Sequence, residues 1–292
     1  MLIERLRRRE FDRLWLAIPD RVEWEGMAGF KYRDTRRAGL HSDIHFNAFF
    51  EDAGEHFIPT IDTLKNRRRI YLIGFESDAA MATWSLYRCI YCKIDSGTET
   101  FLLNNGKWYR ISPDFLGTVD GTFNQVLNTT LRFPEYSHDK EETYNQSVAD
   151  AAPDTFFLMD QKCIRYPTAR DQIEFCDLYS RHKLLVHVKR YRGSATLSHL
   201  FSQGVVSGEL FCALPEFRHA VNNLLPEAFR IEDADRRPND EEFEVVFAII
   251  SKSRKPLTLP FFSRVNLRNA TQHLKAFGYK VSVTKIQALD GI

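Results

Sequence analysis

Asp177, His187 and Lys189 put an acid, an imidazole and an amine on two neighbouring apolar runs, IEFCDLYS (173–180) and KLLVHVKRY (183–191). Both runs alternate apolar and polar side chains and are rich in β-branched and aromatic residues, so a β-hairpin is predicted here. Alternation puts His187 and Lys189 on one face of their strand, and the odd separation of Glu174 and Asp177 puts those two acids on opposite faces. If Asp177 shares the face of His187 and Lys189, the three can activate a water or stabilise a cationic sugar. Gly193 and Ser194 then open a helix with Ser194 as its N-cap, which leaves amide donors and the positive end of the dipole free for a phosphate. Arg190, Arg192, Ser194, Ser198, His199 and Gln203 crowd into the same stretch. An ordinary hairpin with a surface ion pair and a packed histidine would explain the trio alone, but a structural unit has no need of that polar density.

The chain around this stretch has 292 residues, 43% apolar and 27% charged, which is enough for one large or two modest domains. Its 40 Lys+Arg against 39 Asp+Glu give a net charge of +1, so bulk charge argues neither for nor against a nucleic-acid partner. No apolar run approaches the ~20 residues of a membrane span, and MLIERLRRRE lacks the apolar core of a signal peptide, so a cytoplasmic location is expected. The five cysteines, Cys89, Cys92, Cys163, Cys176 and Cys212, lie in apolar segments, as reduced core thiols do. Cys89 and Cys92 have zinc-knuckle spacing, yet they sit in the strand-like run WSLYRCIYCKI, where that spacing separates their faces, and no second pair follows.

The elements that must position the trio follow from the same patterns. Residues 1–139 are read as an N-terminal domain of helices plus an antiparallel meander: FFEDAGEHF and PTIDTLKNRRR as helical, then WSLYRCIYCKI, a DSGT turn, ETFLL, the NNGK turn and WYRIS. Asn105-Gly106 marks the clearest turn, and Pro113-Asp114 opens a helix reaching about Leu131. Residues 140–292 are read as the core that carries the site, running from the helix EETYNQSVADAA through the strand FFLMDQKCI to the central hairpin and its helix. PEFRHAVNNLL, the buried strand EFEVVFAIIS, the helix SRVNLRNATQHLKAFG and the strand YKVSVTKI follow. The fold class expected is α/β in the broad sense (α+β), a mixed sheet flanked by helices.

The order helix, three strands, helix, strand resembles the core of restriction-endonuclease-like nucleases. That resemblance implies an acid near the second strand, Asp177, and an acid-x-Lys on the third, of which Lys189 is the lysine. His187 stands where the second acid is expected, and losing one carboxylate weakens a site for a hard cation, so no metal and no cofactor are expected. The segments LWLAIP, WSLYRCIYCKI, LLNNGKWYRIS, the block from CDLYSRHKLLVHVKRYRGSATLSHLFSQG to GELF, FEVVFAIIS and LPFFSRVNLRNATQHLKAFGYKVSVTKI together resemble a sporadically distributed, uncharacterised bacterial family. This chain looks like the C-terminal portion of its longer members. The family's genes lie beside restriction–modification and phage-defence genes, and it is similar to antiphage DNA glycosylases. The resemblance implies an antiviral hydrolase acting on foreign, base-modified DNA.

The leading expectation is therefore a metal-independent DNA glycosylase, with Asp177 as its carboxylate, His187 or Lys189 as the charged partner of that carboxylate, and basic residues holding the phosphates around a flipped nucleotide. The alternatives are a metal-dependent nuclease, in which Asp160, Glu174 or another carboxylate replaces the lost acid, and a non-catalytic DNA-binding subunit. DNA is the expected partner, and no membrane is. Besides the residues after the hairpin, Arg264, Asn266, Arg268 and Asn269 crowd the start of SRVNLRNATQHLKAFG, with Ser263 as its cap. Cations there oppose the dipole unless an anion compensates, so these four are read as a second phosphate or base-edge clamp.

Overall fold

The computed structural model describes residues 1–11, 13–19, 27–35, 38–41, 44–74, 79–127, 130–165, 172–191 and 194–289. It is a mixed α+β protein whose helices flank antiparallel and mixed sheets, and it divides into two compact units, the first comprising residues 1–118 and the second 119–191 with 196 onward. The division falls at 118/119, where the sequence patterns placed it at 139/140.

The first unit contains α1 (Leu2–Arg8), β1 (Leu14–Leu16), β2 (Met27–Lys31), α2 (Phe46–Ala53), β3 (Arg69–Gly74), β4 (Ala80–Ser85), α3 (Leu86–Cys89), β5 (Ile90–Ser96), β6 (Glu99–Asn104) and β7 (Lys107–Ile111). Two antiparallel sheets, β1-β5-β6-β7 and β2-β3-β4, share a core with the phenylalanines of α2. The Asn105-Gly106 turn joins β6 to β7 with both residues at positive φ (46° and 73°), the left-handed geometry that this dipeptide tolerates. WSLYRCIYCKI is not one strand. Ser85 accepts a hydrogen bond from the Arg88 backbone N–H and caps the short turn α3, so Cys89 ends a helix while Cys92 lies in β5. Both thiols are buried, and burial pushes that of Cys92 up to about 12, as for a core residue.

The helix α4 (Pro113–Val126) leads toward the second unit and stops short of Leu131. Then come α5 (Glu141–Ala151), β8 (Phe156–Leu158), β9 (Cys163–Arg165), β10 (Gln172–Glu174), β11 (Leu178–Ser180), β12 (Leu184–Arg190), α6 (Ser194–Ala213), α7 (Pro215–Leu224), β13 (Glu244–Ser251), α8 (Phe261–Ala276) and β14 (Lys280–Gln287). A five-stranded sheet has the order β14-β13-β12-β11-β8, in which β8, β11 and β12 are antiparallel and β12, β13 and β14 parallel. Both of its faces are covered, so β13 reads as the near-continuous apolar run EVVFAIIS. Leu185, Val245, Phe247 and Ile249 pack on one side with Leu200, Phe211 and Leu274, while Val186, Val188, Val246 and Ala248 pack on the other with Tyr144 and Val148 of α5.

Three sequence expectations change in this unit. FFLMDQKCI splits into β8 and β9 around a turn in which Gln161 takes φ 62°. IEFCDLYS splits as well: β10 pairs with β9 in a separate hairpin, and β11 joins the main sheet. Between them Phe175 and Cys176 turn inward, with Phe175 4.8 Å from the ring of Phe211, so burial of two successive residues overrides the strand's alternation. The helix of SRVNLRNATQHLKAFG starts at Phe261 behind Pro260, which leaves Ser263 buried inside the first turn instead of capping it.

The helix α6 lies so close to β13 that a Cβ added at Gly204 would come within 2.6 Å of the Phe247 ring. Gly204→Ala should therefore lose about 1–3 kcal/mol in urea denaturation through overpacking. Gly117→Ala in α4, which has open space around it, should gain about 0.5–1 kcal/mol from helix propensity. Equal stabilities for the two variants would refute this account of the packing.

Candidate functional site

The break between β10 and β11 is what assembles the site. The Asp177 backbone carbonyl accepts hydrogen bonds from the Met159 and Asp160 amides (2.9 and 3.0 Å), which ties the β8–β9 turn to the start of β11. The Asp177 amide donates to the Val186 carbonyl (3.0 Å), and its Oδ2 accepts from the Val188 amide (2.6 Å), so this residue is anchored to β12 by both backbone and side chain. Asp160, Glu174 and Asp177 consequently converge, one oxygen of each lying within 4.8 Å of the others. Opposite faces were expected for Glu174 and Asp177, but that parity holds only along an uninterrupted strand.

Like charges this close cannot all ionise freely. Burial, with the charges of Asp160 and Glu174, pushes the Asp177 carboxyl up to about 8 against the opposing pull of the Val188 hydrogen bond and Lys189. Glu174 is also raised, first by burial and then by the charge of Asp160. All three residues are partly exposed, while the carboxyl of Asp177 is enclosed. Lys189 borders them. Burial lowers its pKa, but the charge and hydrogen bond of Glu141 outweigh this and leave it raised, with the ammonium 2.9 Å from Glu141 Oε2.

His187 does not join this group. It keeps to the face of Lys189, as alternation requires, but lies buried beneath α6 with Nε2 3.5 Å from Ser207 Oγ, and burial lowers its pKa to about 4. The imidazole electrostatically coupled to Lys189 is that of His199 on α6, whose pKa is lowered by burial and then by the Lys189 charge.

The remaining expected contacts are spread out. Arg190 holds its guanidinium over Tyr136 at 5.3 Å and donates to the Asp139 carbonyl (3.1 Å). Arg192 and Gly193 lie outside the described residues, and Ser194 begins α6. Ser198 Oγ accepts from Asn266 Nδ2 (2.8 Å), which joins α6 to α8, and Gln203 lies further along α6, partly buried. Arg264 pairs with Asp120 and sits 5.9 Å from the Phe123 ring centre, so an internal acid answers its charge. Arg268 is partly buried beside exposed Asn269, with Nη1 3.5 Å from its Oδ1.

Two site residues went unread in the sequence, both on α5. Glu141 receives Lys189 and also accepts from the Arg190 amide (3.0 Å). Asn145, 1% exposed, donates from Nδ2 to Asp160 Oδ2 (2.9 Å). They stand one helical turn apart, so the signal that could have found them was two polar residues at i and i+4 on a face shared with buried Tyr144 and Val148.

Among the described residues, Asp160, Glu174 and Asp177 form a set of acidic oxygens able to hold a cation, the donor type preferred by Mg²⁺ and Mn²⁺. With no cation, protons must do the neutralising. An Asp177 carboxyl raised from 3.8 to about 8 binds its proton more tightly folded than unfolded, so its contribution to stability is complete below about pH 4 and is lost as the pH rises to 8. In EDTA, the melting temperature should fall by several degrees from pH 5 to pH 8. Asp177→Asn should flatten that fall and equal or exceed the wild type at pH 8, and an unaltered slope would show that Asp177 is not the group titrating.

No curated protein and no solved structure matches the chain. The sequence profile described as "Family of unknown function (DUF6119)" matches residues 1–287. By that match, which spans nearly the whole chain, the protein belongs to the DUF6119 family.

Proposed function

We propose that the second unit is a divalent-cation-dependent hydrolase of nucleic-acid phosphodiesters, with DNA as its substrate. The observation that carries this reading is the convergence of Asp160, Glu174 and Asp177 beside Lys189 at one end of the mixed sheet. A polyanion would be repelled by three bare carboxylates, whereas a cation seated among them turns the same acids into a phosphate-binding centre. The donors fit Mg²⁺ or Mn²⁺: all are oxygens, and nearby Asn145 keeps a buried Oδ1 with no hydrogen-bond partner. The bound ion would supply charge neutralisation at the phosphate and a more acidic water. Asp160, Glu174 and Asp177 would hold it, the enclosed Asp177 losing its proton as it does so. Lys189, kept charged by Glu141, would put a positive group beside the scissile phosphate. The main-sheet strands β8, β11, β12 and β13 with α5 and α6 support this reading by running in the helix, three strands, helix, strand order, although the β9–β10 hairpin and α7 interrupt it. Foreign, modified DNA is the target class that the family resemblance adds.

A second reading is favoured by one observation. Asp177, raised to about 8 and thus mainly neutral at pH 7, sits beside Glu174 and Asp160, and such a separation of carboxyl roles suits metal-free cleavage of a glycosyl bond. Incubating the protein with modified and unmodified DNA, in Mg²⁺, in Mn²⁺ and in EDTA, separates the readings. Strand breaks confined to the metal-containing reactions are expected, with Asp177→Asn reducing them at least 100-fold. Abasic sites formed equally in EDTA would establish the glycosylase instead, and retention of DNA without either product would leave a binding subunit.

A further inference from the structure

Asn145 is a neutral side chain, 1% exposed, at the foot of an acidic group, and only half of its amide is used. Its Nδ2 donates to Asp160 Oδ2 at 2.9 Å, and its Oδ1 has no hydrogen-bond partner. A buried carbonyl oxygen left this way is destabilising, so a residue serving only to fill α5's inner face would be apolar there, as Tyr144 and Val148 largely are. One turn earlier, Glu141 receives the Lys189 ammonium and the Arg190 amide. The same face of α5 therefore reaches both the acid on the β8–β9 turn and the lysine on β12.

Resting on the cation reading above, we infer that Asn145 is the positioning residue of the metal centre: its Nδ2 fixes the Asp160 carboxylate, and its Oδ1 serves the hydrated ion as a neutral oxygen acceptor. A hydrogen-bond donor leaves one Asp160 oxygen free to face the ion and holds it there without adding a fourth negative charge. Aspartate at position 145 would have repelled Asp160, and an apolar residue would have let it rotate. Outer groups of this kind typically change metal affinity by about 10–100-fold when removed.

Mn²⁺ binding to the purified full chain, followed by calorimetry and by the paramagnetic signal of the free ion, tests this without a substrate. Wild type should bind one Mn²⁺, and Asp177→Asn should abolish binding. Asn145→Ala and the similarly sized Asn145→Leu should both weaken it by about 10–100-fold. Gln146→Ala, on the exposed side of the same helix, should leave it unchanged. Circular dichroism and melting in EDTA identify which Asn145 variants remain folded, and Leu preserves the packing if Ala leaves a cavity. A folded Asn145 variant that binds Mn²⁺ like wild type would overturn the role given to Asn145 while leaving the cation site standing. A wild-type chain with no Mn²⁺ affinity would overturn the site itself, and this inference with it.

Discussion

Asp177 is fixed at both ends. Its amide is held by the Val186 carbonyl, its carbonyl takes two amides from the β8–β9 turn, and its carboxylate takes the Val188 amide. Few residues between two strands are so constrained, and here the constraint decides the geometry of everything near it. Because the carbonyl accepts from both Met159 and Asp160, the turn carrying Asp160 cannot drift from the strand carrying Asp177 without breaking two backbone bonds in a partly buried place. Because Phe175 and Cys176 are drawn into the core, β10 swings out of the main sheet and delivers Glu174 from the third side.

The electrostatics follow from that geometry. Burial first, and then the charge of neighbouring acids, raises the proton affinity of Glu174 and of Asp177, whose carboxyl is the enclosed one. Lys189 does not neutralise the group outright, because Glu141 claims its ammonium. The centre keeps an excess of negative charge in a protein whose overall balance is +1. A local charge of the opposite kind to the bulk is a property of the site alone, and composition carried no hint of it.

Features written in short windows were legible. The Asn105-Gly106 turn, the helix α5, the buried strand β13 and the α8–β14 pair all follow from local periodicity and turn chemistry, and the mixed α+β class follows from their order. Asp177 and Lys189 were singled out because polar residues on apolar runs stand out. The site as a whole was not legible, because it depends on where a continuous-looking run breaks, and that was settled by core space around Phe211 and Phe217, far along the chain. His187 shows the same limit: alternation correctly gave it the face of Lys189 but could not say that α6 closes over one and not the other. Arg264 was read as unopposed because Asp120, its partner, is remote in sequence.

The five-stranded sheet has two halves made differently, and this bears on the order in which the second unit can fold. β11 and β12 pair antiparallel across a tight turn and β8 pairs with β11 across the β9–β10 hairpin, whereas β12 meets β13 only after α6, α7 and a long charged loop have been spanned. Closing a short loop loses less chain entropy than closing a long one, so the antiparallel half is the natural nucleus and the parallel half condenses on it. Asp160, Asp177 and Lys189 lie on or beside the strands of that half, Glu141 and Asn145 on α5, and Glu174 on the β9–β10 hairpin inserted within it. The backbone bonds that gather the acids thus all lie on the side of the sheet whose pairings span the shorter loops, and none of them waits on β13 or β14.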